Sequence, residues 1–208
     1  MFPSEVTDII IDHLHDCRYA LKKCSLVCKD WRASSRYHLF HTAIFAPEKV
    51  AFSDLLTFLA SAPDVCPYIQ DLTLSGYRGI SLKDLRAALA ALTSLRSLSL
   101  DRLHISRPHG REPVLEPIPV DVLHNLRISS SNVLEHDTFV FLRLLRLFSQ
   151  VTSLHLSYTQ SSFAFSPGRY RSGLGFAHTE VEEFPADIGI QNLVLRALPT
   201  HTGPDLPP

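Results

Sequence analysis

The hexad at residues 95–100, LRSLSL, is the pattern that organises most of the chain. Four further hexads repeat its order of apolar, x, x, apolar, x, apolar, at residues 69–74, 123–128, 151–156 and 190–195. The fourth residues of the five hexads are 26, 28, 28 and 39 residues apart. Apolar and polar side chains alternate over the last part of each hexad, as in a strand with one buried face. The sequence therefore predicts five short strands at a nearly constant period.

Helical patterns lie between the predicted strands, at residues 53–60, 81–92 and 133–149. Ser81 followed by Asp84 is typical of an N-terminal capping pair, which fixes where the second of these helices begins. The third pattern is apolar nearly all round, apart from a polar line through Arg143, Arg146 and Gln150. We therefore expect the third helix to be well buried.

A strand followed by a helix at a period of about 28 residues resembles the leucine-rich repeat. The resemblance implies an α/β fold, a short irregular solenoid over residues 46–208 with helices outside a curved parallel sheet. A proline-rich stretch at residues 106–121 and a second excursion at 160–185 interrupt the period, and no capping helix is predicted after residue 195. Many such repeats carry a buried Asn or Cys, and these side chains form a ladder that satisfies the loop backbone. This chain has Tyr77, Leu103, Ser131 and Thr159 at those positions, so we expect the ladder to be partial at best.

The first 45 residues carry a separate pattern, which predicts three short helices. Segments of about forty residues are near the lower limit for folding alone, so three such helices cannot bury all their apolar faces against one another. We therefore expect part of this surface to bind another protein. The three groups at helical spacing are Val6, Ile9, Ile10, His13 and Leu14, then Leu21, Cys24, Val27, Cys28 and Trp31, and finally Tyr37, Leu39 and Phe40.

These residues resemble the F-box, in the form that is common in fungal proteins. Residues 2–6, FPSEV, are similar to its opening Leu-Pro-x-Glu-Leu, with Phe2 and Val6 in place of the two leucines, and Ile9, Ile10 and Leu14 are similar to the helix face that follows it. Residues 24–32, CSLVCKDWR, are similar to its Cys-x-x-Val-Cys-x-x-Trp-Arg core, and residues 36–40 to its closing Arg-x-x-Leu-Phe. The predicted organisation is a three-helix F-box domain at residues 1–45 followed by the leucine-rich-repeat-like domain at 46–208.

The F-box resemblance implies that the apolar face docks on the adaptor subunit of a cullin-RING (SCF-type) ubiquitin ligase, and through the adaptor on the cullin. In the alternative interpretation, the same side chains pack on the repeat array and the helices only cap it. For Trp31 and Cys24, a place in the internal core and a place in the interface are equally compatible with the pattern. The residues implied for adaptor binding are Pro3, Val6, Ile9, Ile10, Leu14, Leu26, Val27, Trp31, Leu39 and Phe40.

A second candidate surface comprises the strand residues that point away from the core. It is small and polar, and only Arg127, with His155 and Tyr158, offers side chains of the kind that dominate binding energies. A solvated face with no partner is the other interpretation. The candidate residues for binding a protein substrate are Asp71, Thr73, Ser99, Asp101, Arg127 and His155.

Composition narrows the function classes. Hydrophobic residues make up 45% of the chain and charged residues 20%, which favours a folded protein. The net charge is −1 and no concentrated basic face appears, so nucleic acid is not an expected partner. No signal peptide and no apolar run of about eighteen residues is present, so no membrane contact is expected. Cysteine usage fits a reducing compartment, and we expect a cytoplasmic or nuclear protein.

No pattern for catalysis or for a cofactor emerges. The chain has no Gly-x-Ser-x-Gly, His-Glu-x-x-His or Gly-x-Gly-x-x-Gly motif, and the Gly and Arg residues at 168–175 lack the spacing and lysine of a phosphate-binding loop. His13, His15, Cys17, Cys24 and Cys28 are close in sequence, but their spacing matches no zinc motif. We expect no enzyme, metal or cofactor. The predicted function is substrate recognition for the ubiquitin ligase, and the alternative is an interaction scaffold with no ligase role.

Overall fold

Six strands form one parallel sheet, in the order β1-β2-β4-β6-β7-β8. The computed structural model describes residues 4–106, 116–120, 122–129, 138–159 and 189–198. Three helices precede the sheet, α1 (Ser4–Asp12), α2 (Arg18–Cys24) and α3 (Lys29–Phe40). The six strands are β1 (Thr42–Phe45), β2 (Asp71–Ser75), β4 (Ser97–Asp101), β6 (Leu123–Ser129), β7 (Gln150–Thr159) and β8 (Gly189–Leu198). The fold is therefore mixed α/β with a parallel main sheet.

Three further helices and a second, smaller sheet lie between these strands. The small sheet pairs β3 (Arg78–Ile80) with β5 (His104–Ile105), again in parallel. A short 3₁₀ turn at Cys66–Tyr68 leads into β2. The helices are α4 (Phe52–Ser61), α5 (Leu82–Ala90) and α6 (Thr138–Leu145).

All five hexads predicted as strands are strands of the main sheet. The central leucines Leu72, Leu98, Leu126, Leu154 and Leu193 are Cα partners in successive strands. Because a strand alternates its side chains between two faces, this shared register brings the fourth and sixth residues of every hexad to the same side of the sheet. The repeat in the sequence thus becomes a set of stacked apolar columns.

The main core lies between that side of the sheet and the helices. Leucines of β2, β4 and β6 are fully or almost fully buried, as are Leu55 of α4, Leu85 of α5 and Leu144 of α6. These residues belong to one continuous apolar cluster. At roughly 25 cal/mol per Å² of apolar surface removed from water, this cluster is the main source of stability.

Helices α4, α5 and α6 confirm the three predicted helical segments, with different ends. Ser81 caps α5 as predicted, since its Oγ accepts a hydrogen bond from the Asp84 backbone N–H at 3.0 Å. Helix α6 carries buried apolar side chains on several sides, among them Val140, Leu142 and Leu145. Gln150 was predicted on the polar line of this helix, but it begins β7 instead. Residues 133–137 of the predicted segment lie outside the described residues.

Strand β1 was not predicted. Residues 40–45, FHTAIF, are a sixth hexad in which Ala and Phe replace the two leucines, and Ala43 is the Cα partner of Leu72. The predicted boundary after residue 45 assigns this strand to the helical module, whereas its partner is β2. Only His41 separates the end of α3 from β1, so the helical module continues directly into the sheet.

The prediction that residues 21–31 form one helical face is wrong. Leu21 and Cys24 are buried, but α2 ends at Cys24, and Val27 and Cys28 are exposed. After Cys24 the backbone hydrogen bonds tighten to an i→i+3 pattern, with Val27 N donating to Cys24 O at 3.1 Å. Cys28 instead has an extended backbone immediately before α3, and Cys17 likewise precedes α2 rather than lying within it.

Tyr77 and Leu103 are buried at the positions where a polar ladder was expected to be partial. The Tyr77 hydroxyl donates a hydrogen bond to the Val50 carbonyl at 2.7 Å, and its ring packs edge-on against Phe52. Burial raises the pKa of this phenol. Leu103 is fully buried and forms part of the apolar core. Ser131, residues 160–185 and the chain after residue 198 lie outside the described residues, and the Thr159 side chain is not described either.

The proline-rich stretch at residues 106–121 is described only at residue 106 and over 116–120. Those residues belong to no helix or strand. Ile118 and Val120 are buried in the main core, and Ile118 N donates to the Leu147 carbonyl at 2.8 Å. This hydrogen bond attaches the stretch to the end of α6.

Ser35→Ala is expected to raise the free energy of unfolding by about 1 kcal/mol. Ser35 lies in α3 with no exposed surface, and its hydroxyl has no hydrogen-bond partner among the described residues. A buried polar group without a partner costs roughly 1–3 kcal/mol, and alanine is also the better helix former. Urea unfolding of the whole chain measures the change. The matched control is Ser34→Ala, which removes a hydroxyl that donates to Asp8 Oδ1 and should destabilise; a loss of stability in Ser35→Ala as large as in Ser34→Ala would contradict the assignment.

Candidate interaction surfaces

The helical module has a very small core of its own. Ile11 of α1, Leu21 of α2 and Leu39 of α3 are buried together. Leu14, Trp31 and Phe40 are half-buried against them. Polar contacts also join α1 and α3: His38 Nε2 lies 2.7 Å from Asp12 Oδ1, and Ser34 donates to Asp8. A core of three buried side chains leaves other apolar side chains of the module outside it.

Five of the residues predicted to bind a partner are exposed. Leu26 is 83% exposed, Val27 63%, Ile9 57%, Ile10 43% and Val6 40%. Scattered single apolar side chains are normal on protein surfaces, whereas these five lie within 22 residues of sequence. These residues are hereafter called the exposed apolar set.

The other predicted adaptor-binding residues have different environments. Leu39 was predicted to lie on the binding surface, and this prediction is wrong. It is 7% exposed and belongs to the internal core. It faces Ile11 and Leu21 because the i, i+4 pair Ser35 and Leu39 forms the inner side of α3. Leu14, Trp31 and Phe40 are half-buried. Pro3 lies outside the described residues.

Contacts at two points hold the helical module against the rest of the protein. Phe40 packs on both apolar clusters, the small one of the module and the main core. Arg36 of α3 forms an ion pair with Asp64, which follows α4. The hydrogen bond from Arg36 lowers the pKa of the Asp64 carboxyl. The orientation of α3 is thus fixed to the sheet by both apolar and charged contacts.

A cleft of about 710 Å³ lies where the module meets the sheet. The cleft was not predicted from the sequence, because its walls come from segments that are far apart in the chain. Arg18 of α2, at one wall, donates a hydrogen bond to the Leu39 carbonyl at 3.1 Å. The remaining lining residues are Leu39, Phe40, Thr42, Ala43, Ile44, Phe45, Lys49, Val50, Asp54, Phe58 and Ile69.

The outer face of the main sheet carries the predicted substrate-binding residues. Asp71, Thr73, Ser99 and Asp101 alternate with buried leucines, so they point away from the core as predicted. Arg127 is exposed and His155 is half-buried on the next two strands. Ile44, on β1, is a 64% exposed apolar residue beside Thr73 that the prediction omitted.

Asp101 is the centre of a hydrogen-bonded cluster across three strands. Its two carboxylate oxygens accept from Ser75 at 3.0 Å and from Ser129 at 2.9 Å, and these serines are its register partners on β2 and β6. Arg102, whose φ of 49° is in the left-handed region, donates to Asp101 at 3.1 Å and to Ser75 at 3.2 Å. The Asp101 carboxylate is therefore already hydrogen-bonded to neighbouring residues of the fold.

Asp101→Asn is expected to destabilise the protein by about 1 kcal/mol at neutral pH. Partial burial acts to raise the pKa of Asp101, but the hydrogen bonds from Ser129, Ser75 and Arg102 outweigh it and hold the pKa below its usual 3.8. Since the folded-state pKa is lowered, this stabilisation is complete above about pH 3.8 and is lost as the pH falls through the folded-state value. Chemical unfolding of wild type and variant between pH 2 and pH 7 checks this; a stability difference that stays constant over that range would contradict it.

No grouping in the described part of the chain offers a metal site, since no three His, Cys, Asp or Glu side chains are placed to hold an ion. Cys17, Cys24, Cys28 and Cys66 are free. Among the described helices, none combines the length and apolar character that a membrane span requires. No family model, curated protein or solved structure matches the chain.

Proposed function

We propose that this protein is the substrate-recognition subunit of a cullin-RING (SCF-type) ubiquitin ligase. In this proposal residues 1–45 act as the F-box that docks on the adaptor, and the leucine-rich-repeat-like sheet faces a target protein in the cytoplasm or nucleus. The observation that carries the proposal is the exposed apolar set. Val6, Ile9, Ile10, Leu26 and Val27 fall in the segments of the F-box resemblance, and the rest of the described chain does not cover them.

The size of the helical module supports docking on a partner. Three buried side chains are a small core, while specific complexes bury about 800 Å² on each partner. Covering such an apolar face with a partner lowers the free energy, because each Å² of apolar surface removed from water contributes roughly 25 cal/mol. Leu26 and Val27 lie in a turn between two helices, where a partner helix can reach them without displacing other residues of the module.

The connection between module and sheet supports the second half of the proposal. Helix α3 runs into β1 through His41 alone, and the Arg36–Asp64 ion pair adds a contact away from that junction. A bound adaptor would therefore determine the direction in which the outer face of the sheet points. Such a receptor needs no catalytic group, since tethering a target beside the charged ubiquitin carrier raises its effective concentration.

The proposal is tested by capturing the tagged whole chain from cells in which ubiquitin ligase activity is blocked, followed by mass spectrometry of its partners. We expect the adaptor and cullin in amounts comparable to the bait, together with one or more target proteins that are lost when the sheet face is altered. Targets captured without adaptor and cullin would favour the interaction scaffold and would contradict the ligase role.

A further inference from the structure

We propose that Arg127 and His155 form a recognition site for an acidic side chain of an extended polypeptide bound on the outer face of the sheet. The inference rests on the part of the proposed function that assigns this face to a target protein. It does not depend on docking of the adaptor. The site is defined by the balance of charge on this face.

The carboxylates of this face already have partners within the fold. Asp101 accepts hydrogen bonds from Ser75, Ser129 and Arg102. Asp71 Oδ2 lies 3.3 Å from His41 Nδ1. Asp71 and Asp101 therefore attract a basic ligand less strongly than free carboxylates would, because neighbouring donors compensate each negative charge.

Arg127 is the opposite case. Its side chain is exposed, and it makes no ion pair or hydrogen bond with any residue in the described ranges. Among the described side chains of this face, the charge without a compensating partner is therefore the positive charge of Arg127. A guanidinium presents its donors in a planar fork that fits a carboxylate in bidentate fashion, which makes a carboxylate the ligand of matching charge and shape.

His155 is placed to share such a ligand. It is the Cα partner of Arg127 on the neighbouring strand, and adjacent strands lie about 4.8 Å apart. Both side chains point to the outer face, so a carboxylate held by the guanidinium lies within reach of the imidazole as well. The pair lies on the fourth and fifth of the six strands, one strand in from the edge strand β8, with Ser99 of β4 in the same register row.

On β4, β6 and β7 the surroundings of the pair are small and polar, while Val194 of β8 lies beside His155. No neighbour in the adjacent rows of β4, β6 and β7 is larger than Asn or Asp, so the guanidinium stands above its surroundings and is open to a ligand. Serine hydroxyls on both sides can donate to and accept from the backbone of an extended segment. The neighbours are Ser97, Ser99, Asp101, Asn125, Ser129, Ser153 and Ser157. Together these features fit a short acidic segment of a target protein.

The test uses a phage library of random decapeptides, selected in parallel by the whole wild-type chain and by Arg127→Ser. We expect the wild type to enrich Asp- or Glu-containing peptides and Arg127→Ser to lose that enrichment. Fluorescence polarisation with the most enriched peptide is expected to show about tenfold or greater weakening by Arg127→Ser, and again when the acidic residue of the peptide is replaced by its amide. Arg127→Lys should be intermediate, since it keeps the charge without the fork.

Arg78→Ser is the matched control, because Arg78 is an exposed arginine on β3 of the separate small sheet. It should select the same peptides as the wild type. Thermal unfolding should show that Arg127→Ser folds normally. Selection of no peptide, selection without acidic enrichment, or the same enrichment by Arg127→Ser would each overturn the proposal. Adaptor capture is measured separately. If the wild-type chain captures the adaptor but selects no acidic peptide, this inference is refuted and the ligase proposal is left standing.

Discussion

Replacing Leu98 by alanine is expected to lower the free energy of unfolding by about 2–5 kcal/mol. Leu98 is fully buried in β4, with Leu72 and Leu126 as its partners on the strands at either side. Alanine removes three carbon atoms and leaves a cavity that both neighbouring strands would have to move to fill. Because whole domains are stable by only about 5–15 kcal/mol, this one change removes a large share of the total.

Urea unfolding followed by circular dichroism measures this effect on the whole chain. Ser99→Ala is the control, since Ser99 is the next residue on the same strand but points to the outer face. Its effect should stay within about 0.5 kcal/mol. Equal losses in the two variants would show that the strand does not direct alternate residues to opposite faces, and would contradict the description of the sheet.

Ile10→Asp and Leu26→Asp are expected to weaken adaptor binding by at least about thirtyfold each while leaving the protein folded. Ile10 lies on α1 and Leu26 in the turn after α2, and both are exposed. A carboxylate placed in an apolar interface loses its hydration without gaining a partner, whereas on a free surface it costs little. Pull-down of purified adaptor by the whole chain, with thermal unfolding of each variant, measures the two effects.

Ile44→Asp is the matched control for that experiment. Ile44 is exposed to a similar degree, but it lies on β1 outside the residues proposed for adaptor binding. It should therefore retain the adaptor. Loss of binding in Ile44→Asp, or retention of binding in both Ile10→Asp and Leu26→Asp, would show that the exposed apolar set is not the contact.

The sheet could be predicted from the sequence because its repeat leaves few alternatives. Leucine at alternate positions, returning at nearly constant spacing, predicts both the strands and the face that each buries. β1 was missed since Ala43 and Phe45 stand in for leucine and follow the apolar Leu39 and Phe40 of α3 after only two polar residues. An apolar run of this length fits helix and strand equally, and only the pairing of Ala43 with Leu72 decides between them.

The helical module was harder to predict because periodicity does not show where a short helix stops. Val27 and Cys28 continue the spacing of Leu21 and Cys24, yet a tight turn intervenes and leaves them exposed. Ser25 contributes, as its hydroxyl donates to the Lys22 carbonyl at 2.7 Å and so competes for a group at the end of α2. Such local competition is not visible in an apolar pattern.

The candidate surfaces could be predicted only in part, because the sequence pattern does not show which side chains contact one another. Strand alternation places Asp101 and Arg127 on the outer face, but it does not show which of their charges are already compensated. That distinction depends on Arg102, whose left-handed backbone turns its side chain back toward Asp101 and Ser75. Serines at equivalent repeat positions, Ser75 and Ser129, were the available signal for this cluster.

Isothermal titration of the purified whole chain with purified adaptor protein tests the central claim most directly. We predict a one-to-one complex with a negative heat-capacity change, since apolar surface of the exposed apolar set would leave water on binding. Ile10→Asp should abolish the heat signal under the same conditions. Absence of binding by the folded wild-type chain, or equal binding by wild type and Ile10→Asp, would contradict the claim that these residues dock on the adaptor.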